Sequence, residues 1–379
     1  MTHHHPKLEA EAKKHQKPNK KHSSHTVANV FHKKSIGDIA KWQSRGVVYS
    51  INADDTLHHA LWYLTKHNVH SCPLIDLKKN KIVGFFDYLD IVSFTCATDE
   101  EVDNDTFLGE LEKRLTSTKV HEVSDFSDRD PLLLLFETTD ATKAVKYLFG
   151  KDIQHTAVVD KKGAVQGIIS QWSFVRYLRD HISLVVEEKR GATLGELDIG
   201  VDPIFCYEED IVIDVLKILN KNRISGLPVC NHKGEIVGNF SASDFKHIAY
   251  VAYDATHDKY DKTSYKGWDT LVDDLYKPVG EFVEAVFEVN KKDTKDTGFD
   301  QVHSKFVTAE TTYEDLVKLV VESHIHRVYM IDDEKHAKPI KVISLVDIIR
   351  AAQPDDFFKD STLDELLELM DGMYLLDSE

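Results

Sequence analysis

The chain has 379 residues, of which 42% are hydrophobic, and its formal net charge at pH 7 is −17. This length accommodates two domains of ordinary size, and the hydrophobic fraction allows a sizeable core. The acidic balance argues against a nucleic-acid-binding protein, because such proteins need cations that neutralise phosphates. The sequence contains no run of about 18 apolar residues, so it predicts no membrane span.

The N-terminal 34 residues differ in composition from the rest of the chain. Residues 1–34 are rich in Lys and His and show no apolar period, which predicts a disordered tail. Metal binding by these histidines is the less favoured alternative. The N-terminus has no apolar signal segment, and the four cysteines lack metal-binding spacing. We therefore predict a cytoplasmic protein, with the nucleus as a second compartment, and no metal site.

Four later segments follow one order of helix, strand, turn, strand and helix. Their leading helices each carry an apolar stripe with the spacing i, i+3, i+4, i+7. The stripes are Leu57, Ala60, Leu61 and Leu64; Ala141, Ala144, Val145 and Leu148; Val212, Val215, Leu216 and Leu219; and Tyr313, Leu316, Val317 and Val320. Fourfold self-similarity indicates a repeat architecture.

The third segment shows the chemistry of the pattern. Ile224 to Val229 is a predicted buried strand, and Glu235 to Phe240 is a second strand after a Lys-Gly turn. Ser241 and Asp244 then place a hydroxyl and a carboxylate at a helix start. Free backbone N–H groups there suit an anion, and the acid suits a ribose diol. A Ser-x-x-Asp capping box without a ligand is the alternative for a single copy, but the pattern recurs.

With these repeats the chain resembles the cystathionine-β-synthase-type (CBS) domain proteins, and most of all the γ regulatory subunits of AMP-activated protein kinase. The likeness is carried by residues 194–200, residues 224–229, the pair His326-Arg327 and residues 344–349. It covers residues 35–352. The resemblance implies an α+β fold of four CBS (β-α-β-β-α) repeats, paired into two Bateman-type modules that form a pseudo-symmetric disc.

The domain boundaries follow from the repeats. We predict repeats one to four over residues 35–96, 130–190, 191–252 and 305–352. Between them we predict an acidic linker with a helix over 97–129 and an insertion over 253–304. Residues 353–379 are predicted to form an acidic C-terminal helix that docks on its own domain, with docking on a partner chain as the alternative.

The resemblance implies that the acid at each second-helix start holds the ribose hydroxyls of an adenine nucleotide. Repeat two has Ser173 in that place. The hydroxyls, the basic pair of repeat four and a further serine would hold the phosphate or support the acid. The residues that match the family's nucleotide-binding positions are Asp90, Ser225, Ser241, Asp244, His326, Arg327, Ser344 and Asp347.

The first half departs from the family pattern. His70 and His155 stand where the family has arginines, and Trp172 stands in place of a lysine. Asp87 replaces the hydroxyl of the first repeat. Histidine holds phosphate at pH 7 only if the site raises its pKa, so His70 and His155 are weaker candidates. We expect one or two competent clefts, and weaker binding of di- and triphosphates in the clefts that these residues line.

We find no Gly-rich P-loop and no Cys or Ser nucleophile with a placed His, which predicts that the protein is not an enzyme and has no cofactor. The resemblance implies a regulatory subunit that senses AMP, ADP or ATP and joins the catalytic and scaffold subunits of a protein kinase. Neither nucleic acid nor membrane is an expected partner. The alternatives are a CBS protein that regulates another enzyme, and an interaction scaffold with degenerate clefts.

Overall fold

The computed structural model describes residues 30–43, 48–101, 106–250, 274–293, 305–333, 335–354 and 356–358. Residues 359–379 of the predicted C-terminal helix lie outside these residues, as does most of the predicted tail. Within them, no helix is long and apolar enough to cross a bilayer.

The strands form four three-stranded sheets of one topology. In every sheet the first two strands are parallel and the last two are antiparallel, with a single register shift. The sheets are β1 (Ile51–Asn52), β2 (Ser71–Asp76) and β3 (Lys81–Asp87); β4 (Leu134–Phe136), β5 (His155–Val159) and β6 (Val165–Ser170); β7 (Cys206–Tyr207), β8 (Gly226–Cys230) and β9 (Ile236–Ser241); and β10 (Phe306–Val307), β11 (Arg327–Ile331) and β12 (Pro339–Ser344). The four predicted repeats are therefore confirmed.

Helices flank the sheets. They are α1 (Ile36–Gln43), α2 (Leu57–His67), α3 (Tyr88–Glu101), α4 (Phe107–Ser117), α5 (Ala141–Gly150), α6 (Gln171–Asp180), α7 (Glu187–Arg190), α8 (Leu194–Leu197), α9 (Val212–Asn222), α10 (Phe245–Tyr250), α11 (Val279–Asp293), α12 (Tyr313–Glu322) and α13 (Leu345–Ala352). Thr56, Asp140 and Thr312 cap leading helices by accepting backbone hydrogen bonds. All sixteen stripe residues are at most 2% exposed, so the apolar period did identify the core faces.

The repeats pack in two directions around one centre. Helices of repeats one and three share a hydrophobic core that includes Leu61 and Leu216. Helices of repeats two and four share another, which includes Leu148 and Leu316. Side chains also join the other pairs of repeats. Ser71 of repeat one contacts His155 of repeat two, and Arg327 of repeat four contacts Ser225 of repeat three. This arrangement confirms the predicted disc of two paired modules.

In each repeat, a segment from elsewhere in the chain pairs with the residue that precedes the leading helix. The backbone of Ser35 bridges Asp140, so α1 precedes repeat one in sequence but packs on repeat two. In the same way Pro278 bridges Ile211. These junctions require close backbone approach: a Cβ at Gly37 would lie 2.7 Å from the carbonyl oxygen of Glu137. Glycine at that place is thus a packing requirement.

The predicted tail is too long by several residues. Val30 and Phe31 are 2% and 0% exposed. The Phe31 ring packs edge-on against Phe174, with centroids 5.6 Å apart, and stacks on Tyr177 at 5.9 Å. The prediction that residues 30–34 belong to a disordered tail is therefore wrong. An isolated apolar pair among polar residues has no period, so the pattern could not reveal this contact.

Candidate functional site

Strand register identifies equivalent positions in the four repeats. The first residue of each middle strand pairs with the last residue of the third strand, just before the second helix. The pairs are Ser71 with Asp87, His155 with Ser170, Gly226 with Ser241, and Arg327 with Ser344. Ser71 contacts His155 and Gly226 approaches Arg327, so these places lie at the junctions between repeats one and two and between repeats three and four.

Basic side chains from three repeats lie close together. The His70 and His326 rings lie with their centroids 5.2 Å apart. The Arg327 guanidinium donates from Nη2 to Ser225 Oγ at 2.6 Å. Lys246 lies close enough to disfavour a proton on His70. We call His70, Lys246, His326 and Arg327 the central basic cluster.

The two imidazoles of this cluster are neutral at pH 7. Desolvation, with Lys246 and Arg327 nearby, lowers the pKa of His70 to about 4. Desolvation and the neighbouring His70 and Arg327 lower the pKa of His326 to about 3. Both rings nevertheless keep solvent-exposed surface, although atoms of several repeats surround them. They therefore border a solvent-exposed space between the repeats, which we call the central cavity, and a bound anion there would raise both pKa values.

Gly226 makes room for the guanidinium of Arg327. A Cβ at this position would collide with Nη1 of Arg327 and would also lie 2.9 Å from the carbonyl oxygen of Phe240. Sequence reasoning did not single out Gly226 as a site residue. Its position inside a strand was the available signal, because glycine there marks a close approach of another group.

Asp244 and Asp347 lie in matching surroundings in the second half. Ser241 donates to Asp244 Oδ2 from its backbone nitrogen at 2.7 Å and from its hydroxyl at 2.9 Å. Ser344 donates in the same way to Asp347 Oδ2, at 2.8 and 2.7 Å. Both acids are half-buried, and among the described residues neither Oδ1 atom accepts a hydrogen bond. Within the described residues, each acid therefore has one oxygen that can accept from a ligand hydroxyl.

Asp90 has different surroundings. Its Oδ2 accepts from the Asp87 backbone at 3.2 Å, and its Oδ1 accepts from the Ser127 backbone at 3.0 Å. The residue is 1% exposed, and desolvation together with the neighbouring Asp87 raises its pKa well above the usual range. The structure therefore places Asp90 under residues 124–130, where a ribose would have to displace Ser127.

A hydrogen-bonded chain joins repeats one and two. His155 Nδ1 lies 2.5 Å from Asp130 Oδ2, and its Nε2 lies 2.8 Å from Ser71 Oγ. Desolvation opposes a charged ring, but the Asp130 carboxylate outweighs it, so the pKa of His155 is raised. The expectation that no serine has a placed histidine is therefore wrong here. Asp130 was missed because it lies 25 residues from its partner, with no local motif.

The first-half cleft is acidic. Asp87 and Asp130 are 6% and 2% exposed and lie near each other, beside Asp90. Desolvation and then Asp130 raise the pKa of Asp87 to about 6, while His155 opposes the shift. Apart from His155, the positions that the family fills with cations hold the neutral groups His70, Gln154 and Trp172. The charges here do not favour a phosphate.

No group of three or more His, Cys, Asp or Glu side chains in the described part of the chain could hold a metal ion. All four cysteines are buried and unbridged. Burial raises the pKa of Cys72 to about 12, as expected of an unreactive thiol.

Comparison with known proteins identifies the repeats. A family model for the CBS domain matches residues 36–95, 123–180, 196–249 and 301–354. Protein SDS23 of Eremothecium gossypii is 26% identical over 220 residues, which are 52% of this chain and 44% of that protein. An uncharacterized protein, MJ1426 of Methanocaldococcus jannaschii, is 31% identical over 159 residues, or 41% of this chain and 88% of that protein. The match spans less than half the length of the SDS23 proteins.

A crystal structure shares the whole architecture. Protein MJ1225 of Methanocaldococcus jannaschii, proposed as an archaeal homologue of g-AMPK, superposes with a TM-score of 0.63 at 15% identity. The match covers 83% of this chain and 99% of that protein. Identity at this level establishes the fold alone, and it confirms the predicted four-repeat disc.

Proposed function

Since this chain belongs to the CBS domain family, we propose that it is a non-catalytic regulatory protein that binds adenine nucleotides at the centre of its disc. The observation that carries the proposal is the carboxylate at each of two helix starts, Asp244 and Asp347; Asp244 lies near Lys246 and Arg327 of the central basic cluster. A carboxylate for a ribose diol and cations for a phosphate are the two groups that a nucleotide requires.

The second half supplies these groups in order. The Oδ1 of Asp244 or Asp347 would accept hydrogen bonds from the ribose hydroxyls, and the serine at each helix start holds the acid in place. Arg327 would bind phosphate oxygens with its planar fork, already oriented by Ser225. His326 would add a donor once the anion favours its protonation.

Regulation would follow from the location of the site between repeats. A ligand bound at the centre would stabilise one packing of the four repeats. It would change the state of a partner only if the partner binds that packing with a different affinity. The resemblance to the γ subunits suggests the catalytic and scaffold subunits of a protein kinase as partners. Co-purification with a kinase catalytic chain tests that assignment against regulation of another enzyme.

Calorimetric titration of AMP, ADP and ATP into the purified protein tests the proposal. We expect saturable binding that Asp244→Ala or Asp347→Ala weakens at least tenfold, as loss of a charged hydrogen-bond acceptor predicts. Asp214→Ala is the matched control, since this acid is exposed on α9 and pairs only with Lys217 among the described residues. Absence of binding by all three nucleotides would contradict the proposal.

The chain of Ser71, His155 and Asp130 favours a second candidate function, hydrolysis by a serine nucleophile. The order of nucleophile, base and orienting acid is present. The nearby carboxyl groups of Asp87 and Asp90 oppose it, because they would destabilise a developing oxyanion. A fluorophosphonate probe that labels wild-type protein, but not Ser71→Ala, would favour hydrolysis and contradict a non-catalytic role.

A further inference from the structure

The charge available in the central cavity is small. Arg327 and Lys246 supply two fixed positive charges, while His70 and His326 are neutral at pH 7. His155 adds nothing net, because Asp130 lies 2.5 Å from its Nδ1. Desolvation raises the pKa of Asp244, which lies close to Arg327 and Lys246, and these two cations favour its charged form. The cavity therefore suits an anion of low charge.

Trp172 brings an uncharged ring from the first half against the central basic cluster. The indole packs against His326 at 5.3 Å and against His324 at 6.0 Å between centroids, and it is half-buried. An indole offers one N–H donor and no positive charge. Asp87 and Asp130 flank His155, which lies near His70 and His326, so additional phosphate groups would meet an apolar ring and carboxylates. Burial of unpaired phosphate oxygens there is unfavourable.

We propose that the cavity selects nucleoside monophosphates over triphosphates and that Trp172 is a specificity-determining residue. The inference rests on the proposed function, because it concerns the same site. Arg327 and Ser225 hold the one phosphate of a monophosphate, and Trp172 offers no charge to the second and third phosphates of a triphosphate.

Titration of AMP and ATP, both as free nucleotides in EDTA, measures the selectivity directly. We expect wild-type protein to bind AMP at least tenfold more tightly than ATP. Trp172→Lys adds a cation on the path of the phosphate chain and should strengthen ATP binding at least tenfold, with a smaller change for AMP. Trp172→Phe keeps an aromatic ring without a charge, and it should leave the ratio unchanged.

A second variant tests the selectivity independently if Trp172→Lys does not fold. His70→Arg places a permanent cation in the cavity, beside His326, and should also improve ATP relative to AMP. Equal wild-type affinities for AMP and ATP, or ratios that neither the lysine nor the arginine variant changes, would overturn the selectivity. Absence of binding by any nucleotide would instead refute the proposed function, so the two failures are distinguishable.

Discussion

The two halves of the disc share one topology, yet the acids at their helix starts have different surroundings. In the first half, Asp90 is 1% exposed and accepts hydrogen bonds on both oxygens. In the second half, Asp347 is half-buried and accepts only on Oδ2 from described residues. An acid at a helix start is thus not sufficient for a ligand site, because the segment beside it decides whether it stays open.

The segments beside these acids occupy equivalent places. In the first half, Ser124 Oγ donates to the Phe85 carbonyl on β3 at 2.9 Å, and Ser127 then closes over the acid. In the second half, Val201 exchanges two backbone hydrogen bonds with Val342 on β12, at 3.0 and 2.8 Å. That pairing holds the second segment along the sheet, whereas the first segment turns inward. In the first half, Ser124 and Ser127 thus form hydrogen bonds within the protein beside the acid.

The largest expected effect is the loss of stability in Asp130→Ala, which removes a buried hydrogen-bond acceptor from the first half. It removes the acceptor of the Gln154 and His155 backbone nitrogens and of the His155 ring. Loss of one partner from such a buried charged network costs about 3–5 kcal/mol in the free energy of unfolding. Urea denaturation measures it. Asp214→Ala, at a 62% exposed side chain on α9, is the control and should change stability by less than about 0.5 kcal/mol.

The next effect should appear in binding rather than in stability. Arg327→Met removes the guanidinium that would bind the phosphate in the second half. Because hydrogen bonds to a charged group contribute about 1.5–3 kcal/mol, AMP affinity should fall about 10- to 100-fold. Arg327→Lys should lose part of this affinity, because a point charge does not replace a fork. Calorimetry measures both, with Arg179→Met as the surface control. Unchanged AMP affinity in Arg327→Met would place the phosphate elsewhere.

A smaller change tests the acidity of the first half. Asp87 has a pKa of about 6, above its unfolded value, so its contribution to stability is full below about pH 4 and is lost as pH rises through 6. Asp87→Asn keeps an acceptor for the backbone nitrogens of Leu89 and Asp90. It should stabilise the protein at pH 8 by on the order of 2 kcal/mol, and much less at pH 4. Urea unfolding at both pH values, with Asp214→Asn beside it, decides the matter.

The comparison also shows what the sequence could predict. The stripes of the leading helices and the Ser-x-x-Asp helix starts are local patterns, and local patterns identified the core faces and the open acids Asp244 and Asp347. The closing contacts are not local. Ser127 meets Asp90 across 37 residues, and Asp130 meets His155 across 25. No periodicity or motif indicates such pairs, so the difference between the halves could not be predicted from the sequence and is visible only in the three-dimensional structure.

The smallest effect concerns protons. With pKa values of about 4 and 3, His70 and His326 are uncharged at pH 7 in the free protein, and a bound phosphate favours their charged forms. AMP binding should therefore take up a fraction of a proton at pH 7, and affinity should rise as pH falls toward 6.5. Lys246, Arg327 and His155 oppose this uptake, because positive charge near the rings lowers their pKa values.

Calorimetry of AMP binding in buffers of different ionisation enthalpy counts these protons. His70→Gln should reduce the uptake, since one titrating ring is lost while a polar side chain remains. Trp62→Phe, on the α2 helix among ring contacts with His59 and Tyr63, is the control and should leave the uptake unchanged. Zero or negative uptake by wild-type protein would mean that the phosphate does not reach the imidazoles. The cavity would then bind its ligand through Arg327 and Lys246 alone. These two fixed charges of the second half would then be the feature that distinguishes the two halves in phosphate binding.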